Sequence, residues 1–125
     1  MSTLNVSNIS DGTTTVGTSY VVSGSAKVHA NVTESNTIQV SMNVSSITDE
    51  GVGRIEYNFT NSFSSAWYSY AAMNKDGGGH NDDSGANSSD SDTSTASQFH
   101  VFTHHNGSAN DSQGGVGLII CGDLA

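Results

Sequence analysis

Apolar residues at every second position constrain this chain more than any other feature. Ala26, Val28, Ala30 and Val32 alternate with Lys27, His29 and Asn31, and Ile38, Val40, Met42 and Val44 alternate with Gln39, Ser41 and Asn43. Ile55, Tyr57 and Phe59 alternate with Glu56, Asn58 and Thr60, and Phe99 and Val101 oppose His100 and His104, with Phe102 among them. Successive side chains of a strand point to opposite faces, so each run predicts a strand with one face on a core. Two runs, 66–73 and 116–121, are apolar or aromatic at consecutive positions and predict central strands buried on both faces. No segment shows a period of 3.6.

Composition agrees. Val, Ile, Thr, Tyr, Phe and Trp number 38, against 24 for Ala, Leu, Met, Lys, Arg, Glu and Gln together, which favours strands over helices. Turn signals separate the runs: Asp11-Gly12, which predicts a two-residue type I′ hairpin between 5–10 and 13–16, then Glu34-Ser35-Asn36, Thr48 through Gly53, and His105-Asn106-Gly107-Ser108. Strands about ten residues apart with turns between them predict an all-β fold, a small antiparallel β-sandwich or jelly roll. Residues 1–25 are too poor in apolar side chains to form a core and read as an arm that docks elsewhere. Residues 26–125 then form the sandwich, interrupted by an aperiodic loop at 74–96 of the length usually reserved for function.

The core must be thin. Leu, Ile, Val and Phe supply 24 of 125 residues, while Ser, Thr, Asn and Gly supply 60. Cys121 is the one cysteine, so neither an internal disulfide nor a thiolate zinc cage can brace the fold. There is no Pro and only two Lys to guard sheet edges, so sister copies are expected to cover them in a homo-oligomer, with a trimer favoured. Three cationic residues among twelve acidic ones give a net charge of −9, which argues against nucleic-acid partners. No apolar run is long enough to span a membrane, and residues 1–20 lack the basic start and apolar centre of a secretory signal.

Chemical motifs are sparse. The chain has no G-x-S-x-G, phosphate loop, H-E-x-x-H or G-x-G-x-x-G. The 74–96 loop offers hard oxygen ligands of the kind calcium uses at Asn81, Asp82, Asp83, Asn87, Asp90 and Asp92, but not at EF-hand spacing. A solvated loop is the simpler reading. His100, His104 and His105 could gather a transition metal if strands met at a threefold axis, although packed or surface histidines are commoner. Trp67, Tyr68 and Tyr70 could stack on a sugar ring, but are expected to serve core or interface packing. Cys121 is expected to be a small buried residue. Eight Asn-x-Ser/Thr sequons follow from the composition and are not assigned as glycosylation sites.

The opening 1–27 (MSTLNVSNISDGTTTVGTSYVVSGSAK), 43–49 (NVSSITD), 57–60 (YNFT) and the ending 116–125 (VGLIICGDLA) resemble a recurring module of tailed bacteriophages, common in marine phages of cyanobacteria and other ocean bacteria. The resemblance covers most of the chain outside 74–96 and departs after Lys27, where Val28-His29-Ala30-Asn31-Val32 replaces an aromatic and an Asn/Gly-rich hairpin. It implies a structural virion protein: a β-rich, homotrimeric knob on the virion surface, made in the host bacterial cytoplasm, with no catalytic residues to carry over.

The leading expectation is therefore a non-enzymatic fibre-tip or receptor-binding module without a cofactor. Its arm at 1–25 contacts other virion proteins, and its polar loops face a host glycan or protein through Asp76, His80, Asn81, Asp82, Asp83, Asn87, Asp90, Asp92, Asn106 and Asn110. The alternative is a capsid decoration or head-fibre protein anchored to the shell by the same arm. A carbohydrate-binding or hydrolytic accessory domain ranks third.

Overall fold

The alternating runs form strands. The computed structural model describes residues 3–33, 35–74, 84–87, 94–105, 108–109 and 115–125. In chain order the elements are β1 (Asn8–Ser10), β2 (Thr15–Gly17), a short helix α1 (Thr18–Gly24), β3 (Ala26–Val32), β4 (Ile38–Met42), β5 (Val44–Gly51) and β6 (Arg54–Phe59). There follow β7 (Ser69–Asn74), β8 (Ser84–Asn87), β9 (Gln98–His105), β10 (Ser108–Ala109) and β11 (Val116–Cys121). One sheet runs β4-β3-β11-β7; the other has β5, β6 and β9 side by side, with β8 and β10 also paired to β9. The described pairings are antiparallel. This is a small all-β sandwich.

One apolar layer fills the space between the sheets. Val28, Ala30 and Val32 of β3 and Val116, Leu118 and Ile120 of β11 meet Ile55, Tyr57 and Phe59 of β6 and Phe99 and Val101 of β9. Burying a side chain of this size contributes about 1.5–3 kcal/mol. The layer closes at one end in an aromatic group. The Phe63 ring lies 5.3 Å from Phe59 and 4.8 Å from Tyr68, while Phe99 touches both Tyr68 and Tyr70. The Tyr68 hydroxyl shares its proton between the carbonyls of Thr95, at 3.1 Å, and Gln98, at 3.2 Å. At the other end Gly115 has φ +98°, and a Cβ there would stand 1.9 Å from the Val32 carbonyl oxygen; only glycine lets the chain enter β11 this close to β3.

The structure departs from the sequence reading at several points, each with a physical cause. The 38–44 run is not one strand. Val32 pairs with Ile38 but Asn31 pairs with Val40, so Gln39 is an extra residue, and this bulge turns Val40 and Met42 to the outer face. Asn43 then adopts φ +61°, and Val44 begins β5 in the opposite sheet, where it packs on the core. The hairpin at Asp11 pairs Ser10 with Thr15, so its loop has four residues instead of two. The Asp11 carboxylate accepts the Thr13 and Thr14 N–H groups, which hold its pKa below the usual value. The helix α1, in a region where no helical period was visible, spans only seven residues and buries none of them. Within 74–96, residues 84–87 form β8 against β9 and Asn74 ends β7, so the segment is not wholly aperiodic.

The two runs expected to be buried on both faces are covered on one only. β11 is central, between β3 and β7, yet its Ile119 is 47% exposed. β7 is an edge strand that starts only at Ser69, its Met73 is 72% exposed, and Trp67, ahead of it, is 96% exposed. Cys121, expected to be buried, is partly exposed.

Tyr57 gives the first test. It is fully buried, and among the described residues its hydroxyl has no hydrogen-bond partner. A buried polar group left unpaired costs about 1–3 kcal/mol, so Tyr57→Phe is expected to keep or raise the midpoint of urea unfolding. Burial also pushes the Tyr57 phenol well above its ordinary value. The folded chain thus keeps a proton that the unfolded chain releases near pH 10. The stability linked to this proton is complete below that pH and falls as pH rises further. Unfolding curves at pH 9 and pH 11 should show that fall in the wild type and a smaller one in Tyr57→Phe.

Candidate functional site

The outer face of the β5-β6-β9 sheet is polar and ordered into cross-strand rows. Register places Thr48, Glu56 and His100 side by side in one row, and Ser46, Asn58 and Gln98 in the next. Directly opposed side chains of adjacent strands lie about 5 Å apart, within reach of one another. Asp49 pairs with Ile55 and Gly51 with Arg54, which leaves Glu50 as the extra residue of a bulge. Glu50 lies two residues after Thr48, on the same polar face, and its carboxylate reaches over that face to His100.

Glu50, Glu56 and His100 form the one group of three metal-ligand-type side chains among the described residues whose donor atoms lie within 4.8 Å of one another. The His100 side chain is 7% exposed, and those of Glu56 and Glu50 are 16% and 29% exposed. His100 Nδ1 lies 3.0 Å from Glu50 Oε2, and His100 Nε2 lies 3.5 Å from Glu56 Oε2. Gln98 Nε2 sits between the last two, 2.7 Å from the carboxylate oxygen and 3.0 Å from the imidazole nitrogen.

The network assigns its own protons. A carboxylate only accepts, so the Gln98 amide nitrogen donates to Glu56, and its second N–H donates to His100 Nε2. Nε2 is therefore the acceptor of the ring, and Nδ1 carries the proton donated to Glu50. The other Glu56 oxygen, Oε1, accepts from Asn58 Nδ2 at 2.9 Å and from Thr48 Oγ1 at 3.1 Å. Its orientation is held from both sides. The His100 backbone N–H donates to Ser94 Oγ at 3.2 Å, which ties the approach to β9 to the same spot.

Comparison with protein-family models, curated proteins and solved structures gives no match.

Of the residues expected to face a host, Asp76, His80, Asn81, Asp82, Asp83, Asp90, Asp92, Asn106 and Asn110 lie outside the described residues, and Asn87 ends β8 opposite Phe102. His100 and His104 do share a face, with Phe102 between them. Both ring nitrogens of His100 are engaged within its own chain, by Glu50 and Gln98. Trp67 is not in the core, whereas Tyr68 and Tyr70 pack on Phe99, so the three do not form one aromatic platform. Glu50, Glu56 and Gln98 were not anticipated. One signal was available: two of the three glutamates flank Gly51-Val52-Gly53, where a hairpin brings them near each other. The pairing that brings Glu50 to His100, 50 residues away in sequence, leaves no mark in the alternation.

Glu56→Ala removes the acceptor for Gln98, Asn58 and Thr48 at once and is expected to cost about 1–3 kcal/mol, read from urea unfolding. Thr48→Ala, at the rim of the same network, is expected to stay within about 0.5 kcal/mol of wild type. Equal effects from the two substitutions would contradict the central place of the Glu56 carboxylate.

Proposed function

We propose that the chain is a self-assembling, non-enzymatic β module of a phage particle, serving as a fibre-tip or receptor-binding unit. The phage assignment rests on the resemblance of its opening and closing segments. The self-assembly rests on one structural observation: the outer face of β4-β3-β11-β7 is largely apolar, broken by His29 and Asn31, and no described residue covers it. Register sets Met42, His29, Ile119 and Ala71 in one row and Val40, Asn31, Gly117 and Met73 in the next. Val40 is 50% and Met42 46% exposed. Between β3, β11 and β7 this face holds a shallow groove of about 180 Å³ lined by His29, Ala71, Met73 and Ile119. A contiguous apolar face on a chain so rich in polar residues is the kind of surface that a protein interface covers. Sister copies are its occupants in this reading, and a trimer is the favoured assembly.

The arm supports the same reading. Leu4, Val6, Ile9, Tyr20 and Val22 are exposed, and none of the described residues before Ser25 is buried. An arm with apolar side chains and no core of its own is suited to gripping a neighbouring particle protein. That is equally what a capsid decoration or head-fibre protein needs, and immunogold labelling of head or tail separates the two. The sugar-binding reading keeps only Trp67 as a stacking surface.

Light scattering on the purified chain is expected to give a mass near three times 12.9 kDa. Ile119→Lys combined with Met73→Lys places charge on the outer face without touching the core layer, and should yield folded monomers. A wild-type monomer at micromolar concentration would overturn the assembly reading.

A further inference from the structure

On the sheet opposite the apolar face, the geometry points to a second site: we propose that His100, Glu56 and Gln98 bind a divalent first-row transition-metal ion, of which zinc is the representative, with Glu50 holding the imidazole from behind. The decisive feature is convergence. The Nε2 lone pair of His100 and the Oε2 lone pair of Glu56 are both aimed at one small group, the end of the Gln98 amide. Two acceptors 3.5 Å apart that share one small donor are spaced as two ligands of one cation.

The distances fit an ion. His100 Nε2, Glu56 Oε2 and the Gln98 amide atom mark a triangle with edges of 3.5, 3.0 and 2.7 Å. Neighbouring ligands of an ion with bonds of about 2.1 Å stand about 3.0 Å apart in octahedral and about 3.4 Å apart in tetrahedral coordination. An ion about 2.1 Å from all three corners lies about 1 Å out of their plane. Rotating the Gln98 amide by half a turn exchanges nitrogen for oxygen and turns the bridging donor into a third ligand. Water completes the coordination.

The surroundings are those of a metal-binding histidine. The ring nitrogen away from the ion donates to a carboxylate, Glu50, which fixes the tautomer so that Nε2 carries the lone pair. Asn58 and Thr48 hold Glu56 through its other oxygen, so Oε2 is already turned inward. One imidazole, one carboxylate and one amide suit zinc or its neighbours better than calcium, which takes six to eight oxygens. The chain's net charge of −9 raises the local concentration of any cation. The site uses neither the arm nor the apolar face, so it stands or falls separately from the assembly reading.

The test is calorimetric titration of the EDTA-stripped, dialysed full chain with zinc chloride, with calcium chloride as the control. One zinc per chain is expected, with a rise in thermal midpoint on loading and no comparable response to calcium. Glu56→Gln should weaken zinc binding at least tenfold. Glu50→Gln, which leaves the ligands in place, should weaken it by about tenfold to a hundredfold. Gln98→Glu supplies a second carboxylate ligand and should tighten it, an outcome that loss of folding cannot imitate; circular dichroism checks the fold of each variant. The proposal is overturned if zinc does not bind, or if it binds equally well to wild type, Glu56→Gln and Gln98→Glu, which would place the ion on other histidines.

Discussion

The contact between β3-β11 and β6-β9 carries this fold. It is a single layer, and it takes nearly all of the large apolar side chains that the two inner faces can present. With no disulfide to share the load, the sandwich depends on that layer being complete. The glycine that lets β11 lie against β3 and the aromatic group around Phe63 seal its two ends. The rest of the molecule is arranged around what the layer leaves over: an apolar outer face on one sheet, a polar network on the other, and an arm that adds nothing to the interior.

Those leftovers divide by chemistry. The outer face of β4-β3-β11-β7 has side chains that water solvates poorly, and no second layer among the described residues covers them. On the outer face of β5-β6-β9, Thr48, Glu56, Asn58, Gln98 and His100 instead exchange hydrogen bonds across three strands. One side of the sandwich is therefore an exposed, largely apolar surface, and the other a hydrogen-bonded polar network. The module proposed above would need the first property to assemble. The second would add a cross-strand link to a chain that has no covalent one.

Legibility in the sequence followed the same physics. Strands β3, β6 and β9 were visible because their inner residues keep strict alternation against a core that reads only one face. Bulges were not, since an extra residue such as Gln39 or Glu50 changes the facing of its neighbours without changing the local composition. This is why alternation alone puts Val40 and Met42 on the inner face; the Glu50–His100 contact, between residues 50 apart in sequence, leaves no local signal. The consecutive apolar residues of 116–121 were read as burial on both faces, and the strand is indeed central. Whether its outer face is covered depends on molecules beyond the single chain, which no periodicity records. The two turns of α1 are too short to display a helical period at all.

The central claim is that the outer face of β4-β3-β11-β7 is an interior surface of the assembled protein, and the methionines on it report this directly. Met42 and Met73 are both exposed in the single chain. Oxidation of the native protein by dilute hydrogen peroxide, followed site by site with mass spectrometry, should leave both much slower to react than in the urea-unfolded chain. Oxidation of Met73 at the unfolded rate, in protein that remains folded, would contradict the account.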